Sequence, residues 1–447
     1  MGFFDPNIEK MKSRLDVRGL CSVLRTWDTS DATQAMLGGF RTKAAEALGD
    51  LAQLNSRVVI EDGGVQALIA AMGDKSDFVR SKAITSLGYL IKAEELNAVE
   101  QLGGITAIVK GLDDQEERVR DSAAKVVNFM IEHGYARTVV EANAIPALQR
   151  AMRRDINSYS SSWSSYEKSA KAIGILVEKG YVAKVLENFG IYSLTNLFTR
   201  NSEDISDMQS FNQARDEAAE AILRVVRSGG ASKIVEAPNV ISILIDNLDG
   251  PKNPHPAFPQ FFEKALIEMA LKGEADAVVP ALIDAFKHDN KMIRGSAIWI
   301  AGDISDERVI EPLEKIRDTS IDQYILKHTR RSLEELKKSG VYKREKLKKA
   351  KNYELALRYE DAAQLYEELG IHDKAGKVRK LACNQNAPQT KVDIGTIDKS
   401  VLVKDSVIQK SIIGQADKFF SICPYCGKEL NFPKPPFFCP YCREPLQ

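Results

Sequence analysis

The sequence repeats itself about every forty residues, and this period constrains the fold more than any other feature of the chain. Gly63-Gly64-Val65 begins the segment GGVQALIAAM, and Gly103-Gly104-Ile105 begins the segment GGITAIVKGL. At the next equivalent position, Asn143-Ala144-Ile145 begins NAIPALQRAM. Self-similarity at a fixed period of this length is typical of solenoids and other repeat architectures. We expect each Gly-Gly pair to form a turn between helices, where the backbone needs a positive φ angle.

A second pattern keeps step with the first, because an arginine is followed eight residues later by a glycine or an asparagine. The pairs are Arg41 and Gly49, Arg80 and Gly88, Arg120 and Asn128, and Arg294 and Gly302. Apolar residues between them, such as Ala83, Leu87 and Leu90, recur at the spacing of one helix face. Short amphipathic helices cannot bury such stripes alone, so successive units must stack. The predicted fold class is therefore all-α, a solenoid of about eight repeats between residues 16 and 340.

Two segments resemble known repeat families. NAVEQLGGITAIVKGLDDQEERVRDSAAKVVNFM resembles an armadillo repeat, and DNKMIRGSAIWIAGDISDERVIEPLEKI resembles the short HEAT repeats of the phycobilisome-lyase type. The resemblance implies an α-solenoid superhelix with armadillo-like repeats over 1–250 and HEAT-like repeats over 251–340. It also implies that Arg80, Arg120 and Arg294 bond neighbouring repeats. Such repeats serve scaffolds, adaptors, transport receptors and some lyases, so the resemblance leaves the function open.

The composition changes after residue 340. Residues 341–383 hold a basic segment and a helical hairpin that resembles a tetratricopeptide unit, with Ala362, Tyr366 and Ala375 at its core positions. Residues 384–417 indicate a linker and short strands, because β-branched residues recur in TIDKSVLVKDSVIQKSIIG. Similar KDSVIQ segments precede zinc ribbons in other, mostly archaeal, proteins. The chain as a whole therefore resembles archaeal proteins that combine HEAT repeats with a zinc ribbon.

Residues 418–447 contain four of the six cysteines, in two C-x-x-C motifs. Two such turns bring four thiolates around one tetrahedral ion, and the spacing resembles a small β-type zinc ribbon. We expect one structural Zn²⁺, with no coordination position open for water, whose ligands are Cys423, Cys426, Cys439 and Cys442. Iron in a rubredoxin-like site is the alternative, and a redox pair is less favoured because the motif is doubled.

A further set of residues are candidates for contact with a partner: Asn128, Trp163, Lys343, Arg344, Lys346, Lys348 and Lys349. Asn128 matches the asparagine with which armadillo receptors clamp an extended peptide, although glycines hold the equivalent positions in neighbouring repeats. Trp163 lies in a serine-rich insertion at residues 158–166. Insertions in solenoids form loops that often lie on the binding face, and a merely tolerated loop is the alternative.

The basic candidates belong to a stretch from Lys327 to Lys351 with eleven Lys and Arg against three Asp and Glu. Such a run is commonly a solvated helix face. The alternative is contact with RNA phosphates, which would make binding steeply dependent on salt, or with an acidic protein surface.

The 62 basic and 62 acidic residues of the chain are unevenly distributed. Up to residue 326 the chain has 38 positive and 47 negative residues, and beyond it 24 and 15, so the two parts carry −9 and +9. We expect each part to have its own partner. Because we find neither a basic-then-apolar leader nor a run near 18 apolar residues, we expect a cytoplasmic location and no membrane contact.

The sequence shows no catalytic constellation: the five histidines are scattered, and there is no G-x-x-x-x-G-K-[ST] phosphate loop. We expect a non-catalytic scaffold or adaptor that binds a protein partner on the concave face of the solenoid and makes a second contact through the zinc ribbon. One alternative is a ribosome- or RNA-associated factor that uses the basic segment and the ribbon. Another is a lyase-like HEAT-repeat enzyme. No small-molecule substrate is indicated.

Overall fold

Helices joined by short turns make up the part of the chain that the computed structural model describes, which is residues 6–26, 39–157, 163–187, 190–200, 207–249 and 258–386. The predicted short strands and zinc ribbon lie outside these ranges, as does the first part of the serine-rich insertion, residues 158–162. Met1–Gln385 form one compact unit. Within the described ranges there is no strand, and the prediction of an all-α solenoid is confirmed.

The first half of the solenoid consists of α1 Ile8–Ser13, α2 Val17–Thr26, α3 Gly39–Glu61, α4 Gly64–Ala71, α5 Asp77–Lys92, α6 Leu96–Gln101, α7 Gly104–Gly111, α8 Glu117–Glu132, α9 Ala136–Glu141, α10 Ala144–Asn157, α11 Ser164–Leu176 and α12 Val182–Leu186. The remaining helices are α13 Gly190–Thr195, α14 Met208–Val225, α15 Ala231–Glu236, α16 Val240–Asp246, α17 Phe258–Met269, α18 Ala275–Ala285, α19 Lys291–Ile304, α20 Ile310–Thr319, α21 Gln323–Lys338, α22 Val341–Leu355, α23 Tyr359–Glu368 and α24 His372–Asn386. Short 3₁₀ segments lie at Asn196–Thr199 and Glu307–Val309, and π-helical turns at Val177–Tyr181, Val226–Gly230 and Ala270–Glu274.

The armadillo-like unit consists of two short helices and one long one, as in α6, α7 and α8. The two glycines between the short helices have different physical roles. Gly103 has a φ of 82°, a conformation that costs a glycine little. Gly104 lies so close to the preceding helix that a Cβ atom there would be 2.5 Å from a methyl carbon of Val99. Gly63 also has a φ of 82°, so the predicted positive-φ turns are confirmed.

The long helices of successive units stack in one continuous row, here called the third-helix row. It contains α3, α5, α8, α11, α14 and α17 and continues through α19 and α21. A recurrent glycine lets these helices approach closely, since a Cβ atom at Gly88 would lie 2.6 Å from Val126. In the same row, the Ser86 hydroxyl donates to the carbonyl of Ala45 at 2.7 Å and so ties one long helix to the previous one.

The recurrent arginines bond each unit to the next. Arg41 pairs with Asp74 at 2.9 Å, and Arg80 makes two bonds to Asp114 at 2.7 and 2.8 Å. Arg120 pairs in the same way with Asp155. The predicted role is therefore confirmed for Arg80 and Arg120. Arg294 differs, because it donates to the carbonyls of His288 and Asp289 in the loop before its own helix.

One hydrophobic core runs through the solenoid from Ile8 to Leu336, and a second, smaller core lies in α22 to α24. The second core buries Ala362, Tyr366 and Ala375, as the tetratricopeptide resemblance implied. It also buries Ala350 of α22, so the basic segment is itself a helix of this small bundle. The domain boundaries and the number of repeats stay predictions.

Candidate partner-binding surface

Asn128 lies on the third-helix row, but its amide is used inside the solenoid. Its side chain is 7% exposed, and Nδ2 donates to the carbonyl of Lys168 in α11 at 2.8 Å. At the equivalent glycines, Gly49 and Gly88, the neighbouring helix occupies the space that a side chain would need, since a Cβ atom at either position would collide with it. This corrects the expectation for Asn128: the amide bonds two units together, and it is not presented to an extended peptide.

Trp163 belongs to the core, where the sequence had suggested an exposed loop. Its side chain is 2% exposed and meets the ring of Phe211 edge to face, with 5.1 Å between centroids. Tyr166, at the end of the same insertion, is also buried, and its hydroxyl donates to the carbonyl of Ser193 at 2.7 Å. The aromatic residues of the insertion that the structure describes therefore join α11 to α13 and α14, and Trp163 is corrected to a packing residue.

Three of the five basic candidates are paired with acids of the preceding repeat. Buried Lys346 lies 2.8 Å from Glu314, Lys348 lies 3.0 Å from Glu307, and Lys349 lies 3.4 Å from Glu311. Their charges attach the C-terminal bundle to α20 and the turn before it. Lys343 and Arg344 are exposed and have no ion pair with a described residue, and Lys348 is exposed although it is paired. The four cysteine ligands lie outside the described residues.

A cluster that the sequence analysis did not single out lies at the HEAT-like end of the third-helix row. Trp299 of α19 is 38% exposed, and the guanidinium of Arg331 lies over its ring, 3.6 Å from the centroid. Arg331 also donates to the Trp299 carbonyl at 3.2 Å and pairs with Asp303 at 2.6 Å. The ring of His328 meets that of Trp299 edge to face at 5.6 Å. We call this group, with Tyr324, the Trp299 cluster.

The backbone of the two helices determines this arrangement. Tyr324, His328 and Arg331 have the spacing i, i+4 and i+7, which places them on one face of α21. Gly295 on α19 lets that face approach, because a Cβ atom there would lie 2.5 Å from the Tyr324 ring. Tyr324 and His328 pack edge to face at 4.5 Å. The cluster is therefore held by contacts between two helices and needs no loop to position it.

Burial and neighbouring charges both affect the titration of the Trp299 cluster. Burial lowers the pKa of His328, and the nearby Lys327 and Arg331 lower it further, which favours the neutral ring. Burial also raises the pKa of Tyr324, with the carboxylates of Asp249 and Glu263 adding to the effect. The cluster thus presents neutral aromatic rings beside a guanidinium that Asp303 already balances.

The spacing signal for this site was present in the sequence. Tyr324, His328 and Arg331 recur at i, i+4 and i+7, and such a polar and aromatic stripe is unusual for a helix face that only fills a core. Whether Trp299 is buried depends on how closely α19 and α21 approach, and periodicity alone does not give that distance.

The family model for HEAT repeats matches residues 257–334, which include the whole Trp299 cluster. This match confirms the HEAT-like character of that part of the solenoid. Among curated proteins, none matches the chain. Across the described ranges, no helix has both the length and the apolar character needed to cross a bilayer.

Similar solved structures include engineered proteins with 15–19% sequence identity. One engineered protein is 19% identical, with 74% of this chain and 80% of that chain covered and a TM-score of 0.46. A designed armadillo repeat protein in complex with a (KR)4 peptide is 18% identical, with 65% and 99% covered and a TM-score of 0.36. Independently of these, an α-solenoid is a fold typical of protein-binding scaffolds, which use its extended surface.

Proposed function

We propose that this protein is a non-catalytic scaffold that binds a protein partner along the third-helix row, with Trp299 as its anchor. The observation that carries the proposal is the half-exposed Trp299 ring, fixed between Arg331 and His328. Trp, Tyr and Arg are the residues most enriched at the energetic centres of protein interfaces. All three types occur together here on a rigid two-helix platform.

The side chains of the Trp299 cluster are held in place before any partner binds, which supports this role. Immobilising a flexible side chain on binding costs about 0.5–1.5 kcal/mol. Arg331 is already held by Asp303, the Trp299 carbonyl and the Trp299 ring, so a partner meets a surface that needs little reordering. RNA is less favoured as the ligand, because Lys346, Lys348 and Lys349 are engaged with Glu314, Glu307 and Glu311.

The C-terminal cysteines extend the proposal. Cys423, Cys426, Cys439 and Cys442 would hold one structural zinc ion in a ribbon that makes a second contact with the same complex. Two weak sites joined by a linker bind more tightly than either alone, because the second contact becomes intramolecular. What supports this extension is the spacing of the cysteines in the sequence.

The test captures partners on the full chain from a native lysate and identifies them by mass spectrometry, for the wild type, Trp299→Ala and Leu102→Ala. Leu102 is the matched control, because it is 39% exposed, close to the 38% of Trp299, and lies at the end of α6, which is not part of the third-helix row. We expect Trp299→Ala to lower the affinity for the recovered protein about 30-fold, the effect of an interface centre worth about 2 kcal/mol, and Leu102→Ala to leave it unchanged.

Equal recovery by the wild type and Trp299→Ala would contradict the proposal. Loss of the recovered proteins after nuclease treatment would instead indicate an RNA-mediated association. Because Trp299 is only 38% exposed and contacts Arg331 and His328, Trp299→Ala should also lower the unfolding midpoint. Binding is therefore compared at a temperature at which circular dichroism shows both proteins fully folded, which separates loss of binding from loss of fold.

A further inference from the structure

A groove opens between the first helices of the two HEAT-like pairs, on elements that do not carry the Trp299 cluster. It has a volume of about 530 Å³ and lies between α18 with the residues that follow it and α20. Its apolar lining is provided by Ile283, Phe286, Pro312 and Ile316. A volume of this size falls within the usual range of ligand-binding clefts.

An apolar side chain that the solenoid leaves in water lies close to this groove in the sequence. Thr319 lines the groove, and Ile321, two residues further along the chain, is 94% exposed. A partner that covered Ile321 would remove its apolar surface from water, and this burial favours binding.

The charges on the rim indicate the chemistry of the occupant. Lys287 and Lys315 line the groove, are exposed, and form no ion pair with a described residue. The other charged lining residues are satisfied internally, since Arg308 pairs with Asp276 and Asp306, and Glu311 pairs with Lys349. The rim therefore presents two uncompensated positive charges beside an apolar floor.

We infer that this groove docks an amphipathic helix of a partner protein, with the apolar face of that helix on Ile283, Phe286 and Ile316 and its acidic flank on Lys287 and Lys315. An apolar helix face laid into a groove and read at i, i+3 or i+4, and i+7 is a recurrent mode of peptide recognition. The complementary charges would orient the helix and exclude basic segments. The site is separate from the proposed anchor at Trp299 and does not depend on it.

The test uses the full chain and a display library of 15-residue helical peptides, with apolar residues fixed on one face and the flanking positions free to be Glu, Lys or Ser. Peptides are selected on the wild type and measured by fluorescence anisotropy on Ile316→Asp and on the double variant Lys287→Glu, Lys315→Glu. The matched control is Lys110→Glu, Lys179→Glu, because both lysines are exposed and without an ion pair to a described residue.

We expect Glu-flanked peptides to be enriched and to lose affinity roughly tenfold or more on Ile316→Asp. The double reversal at Lys287 and Lys315 should reverse the preference in favour of Lys-flanked peptides, whereas the control keeps the wild-type preference. Failure to enrich any peptide, enrichment without an acidic flank, or binding that Ile316→Asp leaves unchanged would each overturn the inference. Circular dichroism of each variant confirms that the helices are intact.

Discussion

Arg120 and Asp155, which are 35 residues apart in the sequence, form an ion pair whose side chains are only 2% and 1% exposed. Arg120 Nε donates to Asp155 Oδ1 at 2.9 Å, and Nη1 donates to the carbonyl of Asp114 at 3.0 Å. The equivalent pair of the previous repeat, Arg80 and Asp114, is 14% and 16% exposed. The same ion pair between repeats is therefore partly exposed to solvent at Arg80 and almost completely buried at Arg120.

The free energy of unfolding should fall much more when the buried pair, Arg120 and Asp155, loses one partner than when the partly exposed pair does. Arg120→Met leaves Asp155 buried without its cation and should cost about 3–5 kcal/mol, whereas Arg80→Met should cost clearly less because water reaches Asp114. The measurement is the unfolding midpoint by circular dichroism, with hydrogen exchange in α8 and α10, the helices that hold the two residues. The double variant Arg120→Met, Asp155→Leu should recover much of the loss, and a double variant no more stable than Arg120→Met would contradict this account.

Glu217 should make the solenoid less stable as the pH rises. The pKa of Glu217 is raised from 4.5 to about 7, chiefly by burial and also by Glu220 and Glu167, while Lys171 and Arg224 oppose the increase. Because the folded-state pKa lies above the unfolded value, the favourable contribution of this carboxyl is complete below about pH 4.5 and is lost as the pH rises through 7.

Glu217→Gln should therefore be more stable than the wild type at pH 8 by on the order of 1–3 kcal/mol and should show little gain at pH 5. Unfolding midpoints from pH 5 to 8 provide the measurement. Glu334→Gln, at an exposed position on α21, is the control and should shift both midpoints alike. A gain of the same size at both pH values would contradict the explanation.

Close packing, and not backbone conformation, should determine the response at Gly88. Gly88→Ala would place a Cβ atom 2.6 Å from Val126, so α5 and α8 must move apart and we expect a loss of about 1–3 kcal/mol. Gly103→Ala meets no atom within 4 Å and bears only the strain of a φ of 82°, about 1 kcal/mol. Val126→Ala should rescue the first variant and leave the second unrescued, as measured by unfolding midpoints.

Lys346 should control the attachment of the C-terminal bundle. It is buried between Glu314 at 2.8 Å and Glu368 at 3.6 Å, so Lys346→Met leaves Glu314 without its cation. We expect faster hydrogen exchange in α22 and faster proteolysis near Gly340, with the solenoid core unchanged. The control is Lys343→Met on the same helix, which is exposed and should alter neither measurement.

Metal analysis of the full chain should find one zinc ion per molecule, and Cys423→Ser should lower this value and weaken capture of the partner by the wild-type solenoid. Removing a structural zinc removes folding free energy of about 10 kcal/mol or more from a module this small. Zinc content below one in well-folded protein, or iron in its place, would contradict the assignment.

The sequence was sufficient to predict features that depend on a few neighbouring residues. The turn at Gly103 and the bond from Arg80 to the next repeat follow from spacing, because every unit repeats the same short-range geometry. Trp163 was misinterpreted because its burial depends on Phe211, which lies in α14 of the next unit. A composition of serine around an aromatic residue indicates a loop, and only the packing of α14 shows otherwise.

The basic residues show the same limit of sequence-based prediction, which is that contacts between units are not known. The basic run at residues 343–349 predicts an external surface. Whether each lysine is free depends on acids that lie far earlier in the chain: Glu314 is 32 residues before Lys346, and Glu307 is 41 residues before Lys348. Trp299 is the converse case, because a helical stripe favours a core residue and the structure leaves its ring at the surface. Contacts between units determine which side chains are exposed. A single sequence predicts the units, but it does not predict the contacts between them.

The bonds from each arginine to the aspartate of the following unit also determine where the chain divides into independent pieces. Arg80 belongs to one repeat, but its acceptor Asp114 is supplied by the next, so the physical unit is longer than the forty-residue period and overlaps its neighbour. A fragment that ends at the Gly103 turn removes the acceptor and exposes the apolar side of α5. A fragment that ends at Glu132 would in the same way remove Asp155, the acceptor of Arg120. Fragments for binding or folding studies should therefore extend through α11 to Leu176, because that long helix contains no arginine, and should not end at the repeat boundary that the sequence suggests.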